Sequence, residues 1–157
     1  MKPLKLTLKN FGPYLDEEID FTRFEASPLF LINGKTGSGK TTIFDAMTYA
    51  LYGTTSAAGK TGRDAKEMRS KFADAKAQTK VSLTFSHQGK VYQVERSMKE
   101  KKTATTLDTK VELSLIEPKP AKLLAAKTRE VERQVTALIG LDAKQFSQVI
   151  VLPQGEF

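Results

Sequence analysis

Residues 34–41 read Gly-Lys-Thr-Gly-Ser-Gly-Lys-Thr and match the phosphate-binding loop pattern G-x-x-x-x-G-K-[ST] at every fixed position. Residues 28–32, which precede the loop, are apolar and predict a short buried strand. Residues 42–52 predict a helix that ends at Gly53. The apolar stripe of this helix consists of Ile43, Phe44, Met47 and Leu51. A glycine-rich loop between a strand and a helix indicates a nucleoside triphosphate site, with a chance glycine turn as the alternative.

The residue types of this loop have distinct chemical roles. The glycines permit backbone conformations that surround a phosphate with N–H groups at the positive end of the helix. We expect Lys40 to reach the β- and γ-phosphates and the Thr41 hydroxyl to ligate Mg²⁺. The predicted phosphate-site residues are Asn33, Gly34, Lys35, Thr36, Gly37, Ser38, Gly39, Lys40, Thr41 and Thr42.

Composition limits the class of protein. The 157 residues are 39% hydrophobic, which predicts one domain with a real core, and no apolar run approaches the ~20 residues of a membrane span. The sequence contains no cysteine, which excludes disulfides and cysteine nucleophiles and is consistent with the cytoplasm, our predicted location. The net charge is +7; residues 61–157 hold 18 basic and 12 acidic side chains. This excess indicates a polyanionic partner, or else an ordinary solvated basic surface.

Alternating apolar residues predict most strands. Residues 4–9 and 15–21 predict an N-terminal hairpin that precedes the phosphate loop. Three further strands are predicted around residues 81–85, 91–96 and 111–115, the first two joined by a turn at residues 87–90. The basic, threonine-rich residues 97–109 predict an exposed hairpin tip between the second and third.

The last third of the chain predicts two helices and a strand. Residues 128–139 predict a helix that Gly140 ends. Asp142 and Gln145 are spaced as in a capping box and predict a short helix after it. The apolar residues 149–152 predict a final strand, and an ending just beyond such a strand leads us to expect a fragment of a longer protein.

Three segments together with the phosphate loop carry a family resemblance. They are Leu-Lys-Asn-Phe-Gly-Pro-Tyr at 8–14, Ile-Asp-Phe at 19–21 and Val-Leu-Pro-Gln-Gly-Glu-Phe at 151–157. With the loop they resemble the SbcC family, the ATPase subunits of bacterial SbcCD nucleases, related to the chromosome-maintenance ATPases of the ABC class. The resemblance implies an α/β P-loop NTPase fold of that type, with a mixed sheet and an antiparallel β-subdomain. It makes residues 1–157 the N-terminal lobe of an ATPase head, with the P-loop at 34–41 and the Q-loop at 153–157.

The same resemblance assigns further site residues. It implies that Gln154 coordinates Mg²⁺ or its water and senses the γ-phosphate of ATP; a simple turn residue is the alternative. It places the backbone from Asn10 through Phe11 to Gly12 near the ribose or base, and Met68, Arg69 and Ser70 in a loop that folds back onto the nucleotide. Arg69 would pair with phosphate oxygens, or alternatively form a surface salt bridge.

The function implied by the resemblance is an ATP-dependent clamp in DNA double-strand-break repair and hairpin processing. Two heads would dimerise around ATP and thereby gate an SbcD-like nuclease on double-stranded DNA. The sequence contains no Walker B pair or signature motif, so we expect the C-terminal half of the head to supply them and these residues alone to hydrolyse little or no ATP. The predicted contacts with DNA phosphates are Arg96, Lys99, Lys101, Lys102, Lys119, Lys122, Lys127 and Arg129.

Three alternatives remain open from the sequence. The first is a chromosome-maintenance or recombination-mediator head without a nuclease partner. The second is a stand-alone P-loop phosphotransferase, which the N-terminal hairpin and the lack of an arginine-rich lid disfavour. The third is a binding module whose phosphate loop no longer works.

Overall fold

A six-stranded antiparallel sheet forms the body of the protein. The computed structural model describes residues 1–24, 31–55, 65–74, 76–100 and 107–151. The strand order across the sheet is β2-β1-β3-β4-β5-β6, and every neighbouring pair is antiparallel. The strands are β1 (Lys2–Phe11), β2 (Tyr14–Asp20), β3 (Thr79–His87), β4 (Lys90–Glu100), β5 (Leu107–Glu117) and β6 (Lys122–Ala125). The predicted antiparallel subdomain is therefore confirmed.

Local sequence explains the two hairpins β1–β2 and β3–β4. In β1, Leu6 and Leu8 are fully buried while Lys5 outside this core face is exposed, as a strand with one buried face requires. Gln88 and Gly89, which connect β3 to β4, both have positive φ. A two-residue turn of this kind matches the twist of the strands that it joins.

The described residues form three α-helices, of which the first two pack against the sheet and the third against the first. They are α1 (Lys40–Tyr52), α2 (Thr128–Ile139) and α3 (Ala143–Phe146). Gly53 and Gly140 end α1 and α2 in the left-handed conformation, and the predicted capping box of Asp142 with Gln145 begins α3. Among the described residues, no helix is both long enough and apolar enough to cross a membrane.

Helix α1 is the centre of the core. It contacts the strands β1, β3 and β4 and also the helices α2 and α3. Ala46 and Ala50 are fully buried, because small side chains let the helix approach its neighbours closely. Phe44, predicted to belong to the core stripe, is instead 37% exposed, since the buried side of α1 passes through the two alanines.

Two predicted strands are wrong within the described residues. Leu31 and Ile32 are in no strand, and Leu31 is 87% exposed, because none of the described strands pairs with them; residues 28–30 lie outside the described ranges. Residues Ser147–Val151 continue from α3 as a π-helical turn, with Val149 63% exposed, because the helix begun at the capping box is not interrupted there. Residue 152 again lies outside.

The hairpin β4–β5 also differs from its prediction. Its strands continue to Glu100 and start again at Leu107, so most of the predicted tip at 97–109 is paired sheet. Residues 101–106 lie outside the described ranges. Strand β6 was not predicted, because it is only four residues long and follows two prolines.

Candidate nucleotide-binding site

The predicted phosphate loop, residues 34–41, lies at the surface and leads directly into α1. Gly37 and Gly39 have φ angles of +85° and +92°, a region in which L side chains are strained. The Ser38 N–H donates to the Lys35 carbonyl at 3.1 Å and closes the turn. The loop therefore curls ahead of the helix as a phosphate cradle requires.

Lys40 crosses this loop with its side chain. Its Nζ donates to the carbonyls of Gly34, at 2.7 Å, and Lys35, at 2.9 Å. An ammonium group has three donors, so these two bonds leave one for a further acceptor. Asn33 Oδ1 accepts from the Gly34 N–H at 2.8 Å, and Thr41 follows Lys40 as an exposed residue. A positive charge is thus fixed against the loop backbone, next to an exposed threonine.

The turn between β1 and β2 packs tightly against the start of α1. A Cβ atom on Gly12 would lie 2.6 Å from Thr42 Cγ2. A Cβ atom on Gly39 would lie 2.6 Å from Pro13 Cγ and 3.0 Å from Tyr14 Oη. Only glycine fits at these two positions, so the hairpin turn braces the phosphate loop. The side chain of Thr42, predicted to join the phosphate site, is buried against this turn.

Tyr14 also contacts the phosphate loop, and this contact was not predicted from the sequence. Its hydroxyl donates to the Gly39 carbonyl at 3.2 Å. Partial burial, with a contribution from Glu17, raises the pKa of Tyr14, so the hydroxyl keeps its proton at neutral pH. Its sequence position could have indicated this contact, since Tyr14 directly follows a Gly-Pro turn that precedes a phosphate loop.

The segments that the resemblance assigns to the nucleoside lie side by side. The Ser70 N–H donates to the Asn10 carbonyl at 2.8 Å, and Phe11 forms an isolated antiparallel bridge with Arg69. Asn10 Nδ2 donates to the Gln78 carbonyl at 2.9 Å. Residues far apart in sequence are therefore brought together at the end of β1, next to the turn that braces the phosphate loop.

The side chains of Phe11 and Arg69 are engaged within the protein in this structure. Phe11 is fully buried and its ring centre lies 5.5 Å from that of Tyr49, so its side chain is not available to a ligand. Arg69 Nη1 pairs with the carboxylate of Glu100, and its Nη2 donates to the Ala77 carbonyl at 3.4 Å. Arg69 thus adopts the salt-bridge alternative.

Two further observations fit a bound phosphate group. The N-cap residue of α1 is Gly39, which has no side chain with which to cap the first N–H groups of the helix. A Cβ atom on Gly37 would meet nothing within 4 Å among the described residues, which shows open space beside the loop. Uncapped N–H groups, a helix dipole and the Lys40 ammonium together favour an anion with several oxygens.

Arg96 does not belong to an exposed basic surface. It is only 5% exposed; Nε donates to the Ala50 carbonyl at 2.8 Å and Nη2 to the Leu51 carbonyl at 3.2 Å. Its Nη2 also lies 3.9 Å from a carboxylate oxygen of Glu132. This burial contradicts the prediction that Arg96 contacts DNA phosphates.

The remaining described cations are exposed but spread apart. Lys99 is opposite Asp108 in the β4–β5 register, and Lys122 is opposite Leu115 in the β5–β6 register. At ~3.4 Å per residue the two lysines are separated by roughly 24 Å along β5. The other exposed members of the set are Lys119, Lys127 and Arg129. Lys101, Lys102 and Gln154, with the whole predicted Q-loop at 153–157, lie outside the described residues.

The fold and the loop define a fold class, that of the N-terminal lobe of P-loop proteins of the ABC and chromosome-maintenance type. The chain superposes with a TM-score of 0.67 on a chain from a study of the "ATP-driven dimerization and DNA stimulated activation of SMC ATPases". The match covers 98% of this chain and 87% of that chain at 19% identity, so it shows the fold alone. The chain belongs to the AAA domain family, whose model matches residues 5–157.

Sequence similarity narrows the class further. The chain is 43% identical over 159 residues to the SbcC subunit of the SbcCD nuclease from Staphylococcus aureus strain MRSA252, and equally to that from strain JH9. Each match covers 100% of this chain, which confirms the predicted resemblance to SbcC. The chain spans 16% of the length of these relatives.

Proposed function

We propose that residues 1–157 are the N-terminal, ATP-binding lobe of an SbcC-like ATPase head, with the P-loop at 34–41 and the Q-loop at 153–157. The observation that carries the proposal is the exposed loop at the uncapped start of α1, with the Lys40 ammonium held against its backbone. The SbcC-like sequence along the whole chain supports the choice of ATP and of this head type.

The site residues divide the work of holding MgATP. The loop N–H groups that make no bond within the loop and the Lys40 ammonium would bind the phosphates, and the Thr41 hydroxyl would ligate Mg²⁺, which would neutralise phosphate charge. We assign the contact with the nucleoside to the segment from Asn10 to Gly12 and to Ser70. Gln154 contacts Mg²⁺ or its water and senses the γ-phosphate.

In the whole protein this lobe works with a C-terminal half that supplies the Walker B and signature motifs. ATP then joins two heads, and their closure controls the access of an SbcD-like nuclease to double-stranded DNA. The support is the similarity to SbcC, together with the complete set of phosphate-loop residues and the lack of a hydrolytic carboxylate motif in this sequence. The lobe alone binds ATP and hydrolyses little of it.

Nucleotide binding is tested by titrating MgATP into the chain and measuring the dissociation constant by calorimetry. Lys40→Ala should weaken binding by tenfold or more, about 1.4–3 kcal/mol for a charged hydrogen bond to phosphate. Lys90→Ala, at the exposed first residue of β4, is the matched control and should leave the affinity unchanged. Equal affinities for wild type and Lys40→Ala would favour a loop that no longer works, and turnover with a small acceptor would favour a phosphotransferase.

DNA binding is a separate part of the proposal and has its own test. Replacing Lys119 and Lys122 by Gln should weaken binding to duplex DNA and lower the slope of log affinity against log salt by up to about two. Lys80→Gln is the control, because its ammonium is already paired with Glu95 at 2.8 Å. An affinity that ignores salt would refute phosphate contacts altogether.

A further inference from the structure

The C-terminal end of α1 is tied to the helices that lead toward Gln154. We propose that Arg96 and Tyr52 are positioning residues that couple nucleotide binding at residues 34–41 to the segment after α2. This inference rests on the proposed function, because it assumes that the loop at residues 34–41 binds nucleotide. It assigns to the C-terminal end of α1 the role of linking the phosphate loop to α2 and α3.

Arg96 joins β4 to the last turn of α1. The last four carbonyls of a helix have no partner within the helix. Arg96 supplies donors to those of Ala50 and Leu51, and the Gly53 N–H donates to that of Tyr49 at 2.8 Å. The guanidinium also places positive charge at the negative end of the helix dipole. The position of α1 on the sheet is therefore fixed by directed bonds as well as by apolar contact.

The same guanidinium faces α2. Glu132 of α2 lies 3.9 Å from Arg96 Nη2, and burial lowers the pKa of Arg96 while Glu132 opposes that shift. A buried cation needs both hydrogen bonds and a counter-charge, so a movement of α1 relative to α2 would disturb both. A Cβ atom on Gly53 would lie 3.0 Å from Arg96 Nη1, which shows how closely the parts fit.

Tyr52 makes a second connection, to the segment between α2 and α3. Its hydroxyl donates to the Leu141 carbonyl at 2.8 Å, and its ring centre lies 5.5 Å from that of Phe146. Phe146 ends α3 and is almost fully buried, and the chain continues through the turn Ser147–Val151. Gln154 follows three residues later in the sequence.

Helix α1 thus connects the phosphate loop with the segment between α2 and α3. Its first residue, Lys40, belongs to the phosphate loop, and its last residue, Tyr52, contacts the segment before Gln154. A helix of this length is a rod of ~20 Å that moves as one body, since its own hydrogen bonds resist bending. A shift at the loop on nucleotide binding is therefore passed to α2 and α3 through Arg96 and Tyr52.

Hydrogen exchange of the chain with and without MgATP tests this coupling. The quantity is the ratio of exchange rates without and with nucleotide, measured separately for peptides within residues 34–46 and 136–151. In the wild type both ratios should exceed one. Tyr52→Phe keeps the ring but removes the hydrogen bond to Leu141. It should lower the exchange ratio of residues 136–151 by roughly fivefold, or to one where the wild-type ratio is below five, and should leave the ratio of residues 34–46 unchanged. Tyr92→Phe is the control, because its ring lies in β4, 5.6 Å from that of Phe85, and its hydroxyl is not a donor in any of the contacts that join α1 to α2 and α3.

Arg96→Lys is the second arm, since lysine keeps the charge but loses the planar fork that serves two carbonyls. A residue that only stabilises the fold would change basal exchange without changing the ratio. The coupling is overturned if residues 34–46 respond to MgATP while the second ratio is one, or is the same in wild type and Tyr52→Phe. No response at residues 34–46 in the wild type overturns the proposed nucleotide site, and the coupling with it.

Discussion

Replacing Gly39 by alanine tests whether the hairpin turn braces the phosphate loop. Gly39 has a φ of +92°, and the β1–β2 turn leaves no space for a methyl group beside it. Alanine must therefore adopt a strained backbone conformation and must also push Pro13 away. The first cost is common to any residue with this backbone, whereas the second is specific to the contact.

The magnitude follows from adding the two costs. A left-handed backbone costs an L residue about 1–2 kcal/mol. A methyl group forced to 2.6 Å from the rigid Pro13 ring adds about 1–3 kcal/mol, as in other overpacked sites. We therefore expect Gly39→Ala to lower the free energy of unfolding by roughly 2–5 kcal/mol, a large part of the stability of an ordinary domain.

Gly37→Ala and Gly89→Ala are the controls for this experiment. Both glycines have positive φ, of +85° and +73°, and a Cβ atom on either would meet nothing within 4 Å among the described residues. Each variant should lose only the backbone cost of about 1–2 kcal/mol. Gly37 lies in the phosphate loop and Gly89 in the distant β3–β4 turn. Comparing the two losses of unfolding free energy therefore shows whether the phosphate loop adds a cost beyond that of the positive φ itself.

Urea unfolding followed by circular dichroism gives the three free energies. Adding Pro13→Ala to Gly39→Ala should recover part of the loss, because the opposing ring is removed. If Gly39→Ala costs no more than the two controls, the turn does not press on the loop and the reasoning is refuted.

Two further predictions concern the C-terminal end of α1. Burial, with a contribution from Asp142, raises the pKa of Tyr52 to about 12, so the folded state holds this proton more tightly than the unfolded state. The stability that this provides is present below pH ~10 and is lost as the pH rises to ~12. The loss should reach at most about 2–3 kcal/mol. It should appear in the difference in unfolding free energy between wild type and Tyr52→Phe when that difference is measured as a function of pH. Gly53→Ala should cost more stability than Gly140→Ala in urea unfolding, because both end helices with positive φ but only Gly53 is close to Arg96. Equal costs would show that the guanidinium yields freely.

Local signals predicted the hairpins and the longer helices well. The turn at residues 87–90, the helix over 128–139 and the capping box at Asp142 are all encoded within a few residues, so no distant partner was needed to predict them. The apolar residues 31–32 and 149–151 are different. An apolar run indicates that a segment prefers burial, but whether it forms a strand depends on a pairing partner elsewhere in sequence, and none of the described strands pairs with these residues.

The site shows the same division. The loop itself was readable, because its glycines, Lys40 and Thr41 are adjacent in sequence. The contact of Tyr14 with Gly39 and that of Arg96 with Ala50 join distant segments and were missed. For Arg96 a signal was present: it has the same parity along β4 as the buried Tyr92 and Val94, so a period of two places it on the core face.

The pairing of β1 with β3 has a consequence for the order in which the protein assembles. Lys9 lies opposite Lys80 in that register. Residues 10–79, which include the phosphate loop, therefore form a long connection that is closed by the pairing of β1 with β3. Strands β3 to β6 follow each other as a meander with local contacts, which form early because little chain entropy is lost. We expect β1 to pair with β3 later, and only then does α1 have a complete surface on which to pack. The phosphate loop would thus be among the last parts of the lobe to take shape.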